Sequence, residues 1–200
     1  MRKASVKRKT AETEISAALN IDGSGKYKVE TPMVFLTHML ATFSRAGAFD
    51  LTAKVLGDME VDQHHTVEDT GLVLGEAFRK ALGKIKGIER AGFFVYPMDE
   101  ALAVVAVDLG GRPFLQFDAE FRRRFCGDFD TDTLEDFFFG FASGVSGNIV
   151  VRMPYGRSDH HKIEAIFKAF GKAMKMACSK DSRLKGMVPS VKGIIGRWKK

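Results

Sequence analysis

Two spacings of apolar residues alternate along the chain. From Glu12 to Ile21, ETEISAALNI sets apolar and polar residues in turn, the period of a half-buried strand. DGSGK follows, rich in the Gly and Asp that turns between strands require. After Pro32 the period lengthens. FLTHMLATFSRAG has apolar residues three and four apart and stops at Gly47, the pattern of a helix with a C-terminal glycine. FDLTAKVLGDMEVD returns to strand character, and a second helix runs from His64 to about Gly83. FFVYPMDEALAVVAVDLGGRPFLQFDAEF reads as strands joined at Gly110 and Gly111. DTDTLEDFFFGFASGV carries a third helix, with Asp130 or Thr131 as its N-cap. NIVVRMPYG is a strand, and a fourth helix opens at His160 and ends near Cys178.

The order strand-rich segment, helix, strand, helix therefore occurs twice. Residues 64–78 and 160–174 align without gaps at His64/His160, His65/His161, Glu68/Glu164, Gly75/Gly171 and Ala77/Ala173, and both follow a strand-like segment. A duplication accounts for this better than coincidence. It predicts an α+β fold of two internally duplicated α/β halves, each a small mixed sheet with helices packed on one face, related by a pseudo-twofold axis. No Pro/Ser-rich linker divides the chain, so the halves, 1–92 and 93–200, are expected to pack as one compact unit.

Apolar residues make up 45% of the chain and charged residues 28%, as in ordinary globular proteins. No apolar run approaches the ~18–20 residues that cross a bilayer, so no membrane role is expected. The basic start MRKASVKRKT has no apolar stretch behind it, unlike a secretory signal, and two cysteines set up no disulfide framework. These features point to the cytoplasm. The net charge is +6, with basic clusters in the first ten residues, at Arg122–Arg124 and from Lys192 to Lys200. Such clusters suit nucleic acid, phosphorylated small molecules or plain solvation. For the two termini, solvated and frayed ends are the simpler reading. A nucleic-acid function leaves both histidine motifs unexplained, and no nucleic-acid partner is expected.

Four of the five histidines sit in the two HHxxE motifs, and the fifth is His38. On a helix, residues three and four apart share a face, so His64 stacks on Glu68 one turn away. Adjacent residues point about 100° apart, so His64 and His65 serve different centres. Imidazole with carboxylate suits Mn²⁺, Fe²⁺ or Zn²⁺; the absence of thiolate argues against a zinc-finger site, and the carboxylates favour octahedral Mn²⁺. The competing reading is that each pair caps its helix or pairs with Asp62 or Asp159. Repetition of the motif favours metal.

The segments FLTHML, FDLTAKVLGDMEVDQHHTVEDTGLVLGEA, GRPFLQFDAEF, HHKIEAIFKAFGKAM and VPSVKG, in that order, resemble the imidazoleglycerol-phosphate dehydratase family of histidine biosynthesis. The resemblance runs from Arg8 to Gly193, and HHTVED followed by LG is its most specific part. It implies a manganese-dependent hydro-lyase that converts imidazole glycerol phosphate to imidazole acetol phosphate. It also implies a homo-oligomer of 24 subunits with two Mn²⁺ in active sites between subunits. By the same resemblance His38, His64, His65, Glu68, His160, His161 and Glu164 are metal ligands, with Glu68 and Glu164 also counted among the catalytic residues. Glu12 is an acid/base near the metals and touches substrate, while Arg112, Arg123, Ser190 and Lys192 hold the substrate phosphate. The chemistry is consistent with that set. The proton to be lost lies on a carbon with no neighbouring carbonyl, so the imidazole ring is the only electron reservoir, and metal coordination would acidify its N–H.

The chain departs from the family's pattern in places. Thr37 stands where an aspartate before His38 is usual, Asn148 replaces a threonine and Ser158 an asparagine. Val150 stands where a histidine is expected in the strand before the second pair. Taken as the symmetry counterpart of His38, that missing histidine predicts one weakened metal site.

Overall fold

The alternating stretches form strands and the longer-period stretches form helices in the computed structural model, which describes residues 1–195. Arg197, Lys199 and Lys200 of the basic C-terminal stretch lie outside the described residues. The first half comprises β1 (Lys3–Lys9), β2 (Thr13–Asn20), β3 (Tyr27–Glu30), α1 (Val34–Gly47), β4 (Asp50–Gly57) and α2 (His64–Leu82). The second comprises β5 (Ala91–Met98), β6 (Ala101–Asp108), β7 (Phe114–Asp118), α3 (Leu134–Val145), β10 (Asn148–Tyr155) and α4 (Asp159–Cys178). A small hairpin, β8 (Phe125–Cys126) with β9 (Phe129–Asp130), is inserted before α3, and Asp130 caps the short 3-10 turn that leads into that helix. The division expected at residue 92 falls inside β5.

The two sheets have one topology. Strand order is β1-β2-β4-β3 in the first and β5-β6-β10-β7 in the second. In each, the first three strands pair antiparallel and the last joins parallel. The basic N-terminus is not frayed, contrary to the simpler reading. Lys3–Lys9 pairs with β2 along its whole length, and Lys7 and Lys9 each lie 2.8 Å from the Glu14 carboxylate. Val6 is the only residue of β1 that is fully buried, which is why the alternation was too faint to read.

Each sheet covers helices on one face only, and the helices of the two halves meet between the sheets. Phe43 of α1, Phe78 of α2, Phe137 and Phe141 of α3 and Phe170 of α4 form one aromatic cluster across the halves, with Phe43 stacked on Phe170 at 4.9 Å. Helices α2 and α3 cross through glycines on both sides. A Cβ at Gly71 would lie 2.0 Å from the Phe137 carbonyl oxygen, and one at Gly140 would lie 2.2 Å from the Glu68 carbonyl oxygen. Gly75 and Gly144 meet opposing backbone just as closely. Only residues without a Cβ permit this approach of backbone to backbone.

The N-terminal ends of the helices are tied together by one loop. Met33 offers α1 no side-chain cap; instead the amides of Val34 and Phe35 donate to Asp128 at 2.6 and 2.9 Å. Gln63, at the start of α2, donates to the Asp128 carbonyl and accepts from the Asp130 amide. At the start of α4, Asp159 accepts from the Arg122 and Arg123 amides and pairs with buried Lys162 at 3.0 Å. Two members of the basic triplet thus serve the fold through their backbone, and Arg124 pairs with Asp130 at 3.1 Å.

This topology corrects the symmetry assigned to Val150. Helices α1 and α3 both end on a left-handed residue, Ala48 and Ser146, followed by the strands β4 and β10. Counting ten residues back from those caps reaches His38 on α1 and Asp136 on α3. Val150 is instead the third residue of β10 and matches Thr52 of β4. Its neighbours Ile149 and Val151 are buried, so its own side chain faces away from the helices. The counterpart of His38 is Asp136.

Replacing Gly140 by Ala should lower stability by roughly 3 kcal/mol, the upper end for an overpacked core, because the opposing atom is a backbone carbonyl that cannot rotate away. Denaturant unfolding of the variant checks this; a change within experimental error would show that the crossing yields easily.

Candidate metal centre and active site

The convergence of helix N-termini brings the histidines to one end of the molecule. His64 and His65 open α2; His160 and His161 lie in the first turn of α4. Each pair splits as helical geometry requires. The first histidine of each motif turns back along its helix, with His64 Nε2 3.6 Å from Glu68 and His160 Nε2 3.3 Å from Glu164. The second is held through Nδ1 by a carboxylate: His65 by Asp58 at 3.1 Å and His161 by Glu100 at 2.8 Å. A carboxylate accepting from Nδ1–H fixes the tautomer in which the Nε2 lone pair is free to bind a cation.

The elements then supply a third group to one inner site. His38, His160 and Glu164 have ligand atoms within 4.8 Å of one another, and the edge of Phe35 packs on the His160 ring at 5.2 Å. In the first half Asp136 meets His64 from the other side of its ring, at Nδ1 and 3.1 Å, as Asp58 meets His65. A further group comprises Asp99, Glu100 and His161. Two imidazoles and a carboxylate with no thiolate form a donor set that fits a borderline divalent cation.

The electrostatics follow from these contacts. The hydrogen bond to Asp58 raises the pKa of His65. The hydrogen bond from His161, with one from the Ser158 amide, holds Glu100 at about 2. Burial pushes Glu164 up, but Lys168 at 2.9 Å and the nearby His38 and His160 outweigh it, so it stays ionised below its ordinary range.

The sheets place Glu12 and Glu100 as counterparts, each the residue just before the second strand of its sheet. They are used differently. Glu100 is engaged by His161 and the Ser158 amide. Glu12 is more exposed, and its carboxylate lies 3.9 Å from His65 Nε2. The carboxylate partner of His65, Asp58, follows Gly57; the register shift between Arg152 and Tyr155 in β10 matches Gly57 with Gly156 and Asp58 with Arg157, which carries no carboxylate, and His161 takes its anchor from Glu100 instead.

The expected phosphate-binding residues divide into two groups. Arg123 lies beside Asp159 and hence beside the second histidine pair. Arg112 follows the far end of β6, where Arg90 pairs with Asp108 at 2.7 Å and holds the Pro189 carbonyl at 2.8 Å. That clamp brings the segment carrying Ser190 and Lys192 to the same corner, where the Ser190 hydroxyl accepts from the Lys192 amide. Glu100 and His161 lie at the opposite end of β6, about 23 Å away at the rise of an extended strand. Within one chain, Arg112, Ser190 and Lys192 do not meet the histidines. A cleft of about 400 Å³ does open beside His38, lined by Tyr27, Arg45, Tyr96, Lys168 and Lys172. Thr37, in place of an aspartate, bonds to Thr31 at 3.1 Å, away from the His38 ring.

Sequence patterns did not identify Asp58, Glu100, Asp136 or Arg90. Each is distant in sequence or outside the motif it serves, and the weak local signal available was the carboxylate of Asp58 shortly before the first pair.

Comparison with known proteins gives a consistent result. The family model for imidazoleglycerol-phosphate dehydratase matches residues 31–174. Imidazoleglycerol-phosphate dehydratase of Koribacter versatilis is 53% identical over 195 residues, covering 98% of this chain and all of that protein. The Caldanaerobacter subterraneus protein of the same name is 50% identical with the same coverage. The crystal structure of the Pyrococcus furiosus enzyme in complex with (S)-C348 superposes with a TM-score of 0.82 at 30% identity, covering 95% of this chain and all of that one. The Staphylococcus aureus enzyme gives 0.80 at 32% identity, covering 89% and 99%.

Replacing Glu100 by Gln, or Asp58 by Asn, should weaken divalent-metal binding by about 10–100-fold, the usual loss when the group orienting a ligand histidine is removed. Calorimetric titration of each variant with Mn²⁺ tests this, and wild-type affinity in both would remove the orienting role.

Proposed function

The chain belongs to the imidazoleglycerol-phosphate dehydratase family of histidine-biosynthesis enzymes, and from that premise we propose that it dehydrates imidazole glycerol phosphate at Mn²⁺ centres built on its two HHxxE motifs. The observation that carries this is the pair of half-built cation grips, with His65 and His161 anchored through Nδ1 so that Nε2 is the nitrogen left to bind a cation. The inner ligands are His38, His160 and Glu164 on one side and His64 and Glu68 on the other; His65 and His161 complete centres shared with other subunits. When bound, the cation acidifies the N–H of the substrate's imidazole and stabilises the ring anion.

The chain's own residues do the rest. Glu12, the carboxylate not consumed by its histidine neighbour, exchanges protons at the carbons beside the ring. It takes the proton from the carbon next to the one that loses hydroxide, and water and an enol result, the enol tautomerising to the ketone. Glu68 and Glu164 serve as carboxylate ligands. Arg112, Ser190 and Lys192 grip the phosphate with a planar fork, a hydroxyl and a point charge. Arg123 and the basic cleft beside His38 offer further positive charge near the second pair.

A distance of about 23 Å between the phosphate grip and the histidines of one chain supports active sites formed between subunits. The outer sheet faces support a homo-oligomer, proposed as a 24-subunit shell. The second sheet turns Phe93, Val95, Val104, Ala106, Val150 and Phe114 away from its helices, with Phe93 62% and Phe114 59% exposed. The first turns out Lys3, Lys7, Glu14, Ser16 and Lys54. The proposed setting is the cytoplasm; among the described residues no helix is long and apolar enough to cross a membrane, and both cysteines are free.

Chelation should abolish dehydration and reduce the molecular mass in solution, and added Mn²⁺ should restore both. In the Glu12→Gln protein, metal content and mass should stay unchanged while kcat falls by about 10²-fold or more. Dehydration undiminished after complete metal removal would refute the metal mechanism, and unchanged turnover in Glu12→Gln would remove Glu12 from it.

A further inference from the structure

One buried carboxylate has no part in the chemistry so far. Asp69 follows Glu68 on α2, and its Oδ2 accepts from the Thr13 hydroxyl at 2.5 Å and from the Arg8 guanidinium. These two residues flank the turn that carries Glu12, Arg8 near the end of β1 and Thr13 at the start of β2. Thr13 has committed its one hydroxyl proton to Asp69, so at 3.3 Å it accepts from the Thr10 hydroxyl. Thr10 in turn accepts from the Glu12 and Thr13 amides at 3.1 and 3.0 Å. A directed chain of hydrogen bonds therefore runs from the Glu12 amide through Thr10 and Thr13 to the Asp69 charge. The Glu12 carbonyl accepts from the Asp58 amide at 3.0 Å, which holds the residue from its other side. The second half lacks this chain. Strand register and the ungapped match of the two motifs put Tyr96, Ala101 and Ala165 at the places of Arg8, Thr13 and Asp69. There Glu100 is held by its own carboxylate instead.

We propose that Asp69 is a positioning residue for the dehydration: through Thr13 and Thr10 it fixes the backbone of Glu12 and leaves the Glu12 carboxylate free beside His65. The inference rests on the reading of Glu12 as the acid/base, and deepens it by assigning what holds that group in place. A carboxylate tied by its own oxygens, as Glu100 is, must break those bonds before it exchanges a proton. One tied through its main chain is both placed and free. The backbone clamp occurs in the half whose glutamate has that freedom, and the half without the clamp has spent its glutamate on a histidine. An ion pair withdrawn from water adds little net stability, because desolvation offsets the attraction. What the Arg8–Asp69 pair supplies is geometry, and a displacement of about 1 Å at a reacting group costs roughly 10²-fold in rate.

Steady-state kinetics and amide hydrogen exchange on the Mn²⁺-loaded full-length protein test this. Thr13→Val keeps the shape of the side chain and removes its hydroxyl, and Asp69→Ala installs the residue found at the matching place in the second half. Each should lower kcat by about 10–100-fold with KM nearly unchanged, and Thr13→Ser, which keeps the hydroxyl, should restore turnover. The amides of residues 11–14 should exchange about tenfold faster or more in Thr13→Val, while metal content and molecular mass stay as in wild type. In the Glu12→Gln background Thr13→Val should slow turnover no further, because the group it positions is already gone. Thr10→Val and Thr10→Ser, at a half-buried turn position, carry the same comparison if the Thr13 or Asp69 variants do not fold. An equal loss with and without Glu12 overturns the proposal, since it marks a merely structural contact. So does wild-type turnover in Thr13→Val or Thr10→Val when Glu12→Gln is impaired. Unimpaired Glu12→Gln would instead refute the assignment of Glu12 itself.

Discussion

Two helices whose backbones touch leave no freedom in how their side chains meet. The crossing of α2 on α3 is such a contact, with a glycine on one helix facing a carbonyl on the other at four places. It lies one turn inside the helix ends that carry His64, Glu68 and Asp136, and so it sets the spacing of these groups before any ligand arrives. It also joins the two halves, since α2 follows the first sheet and α3 belongs to the second. The phenylalanine cluster next to it depends on that spacing: Phe78 of α2 meets Phe141 of α3 at 5.6 Å, and both meet Phe43 of α1. A core shared in this way has no seam along which either half separates with its apolar surface covered.

Duplication supplied two copies of every functional position, and the copies have diverged by redistributing carboxylates. Glu12 and Glu100 share one place in the fold, yet Glu100 is bound to its histidine while Glu12 is left at 3.9 Å from His65. The difference traces to one position. Asp58 anchors His65, and its counterpart in the strand register, Arg157, has no carboxylate to do the same for His161. Once Glu100 takes over that anchoring, its pKa falls to about 2 and it is no use as a base near neutrality. Asp136 opposite His38 belongs to the same series. A symmetric scaffold thus carries an asymmetric set of donors, as a reaction with distinct roles for its two carbon centres requires.

The repeated HHxxE motif was legible in the sequence because it is local: helical periodicity puts i and i+4 on one face regardless of the rest of the chain. The four long helices and most of the strands were legible for the same reason. The strand β1 was not, because six of its seven residues escape full burial and its pairing with β2, not its pattern, makes it a strand. The groups that complete the site were hidden for a deeper reason. Glu100 lies 61 residues from His161 and Asp136 lies 72 from His64, and only the topology brings them together. Val150, where the family usually has a histidine, reads in the sequence as the counterpart of His38, a place that belongs to Asp136. The helix-cap-strand register separates them, and no inspection of the motif alone reveals that register.

The distribution of charge gives the last link. Arg112, Ser190 and Lys192 gather where Arg90 ties the C-terminal segment to the end of β6, and the histidines gather at that strand's other end. A substrate whose imidazole and phosphate are joined by three carbons cannot span about 23 Å along a strand. On the phosphate-binding role proposed for these three residues, one chain holds half of each requirement, and the proposed assembly brings a second chain's grip to the first chain's helix ends. On the proposed metal role His65 and His161 add the same demand, because one imidazole nitrogen with the carboxylates beside it leaves a six-donor shell unfilled. In the proposed homo-oligomer both requirements are met by a single event, the closing of subunits against one another, so that assembly and the completion of the site would be one process.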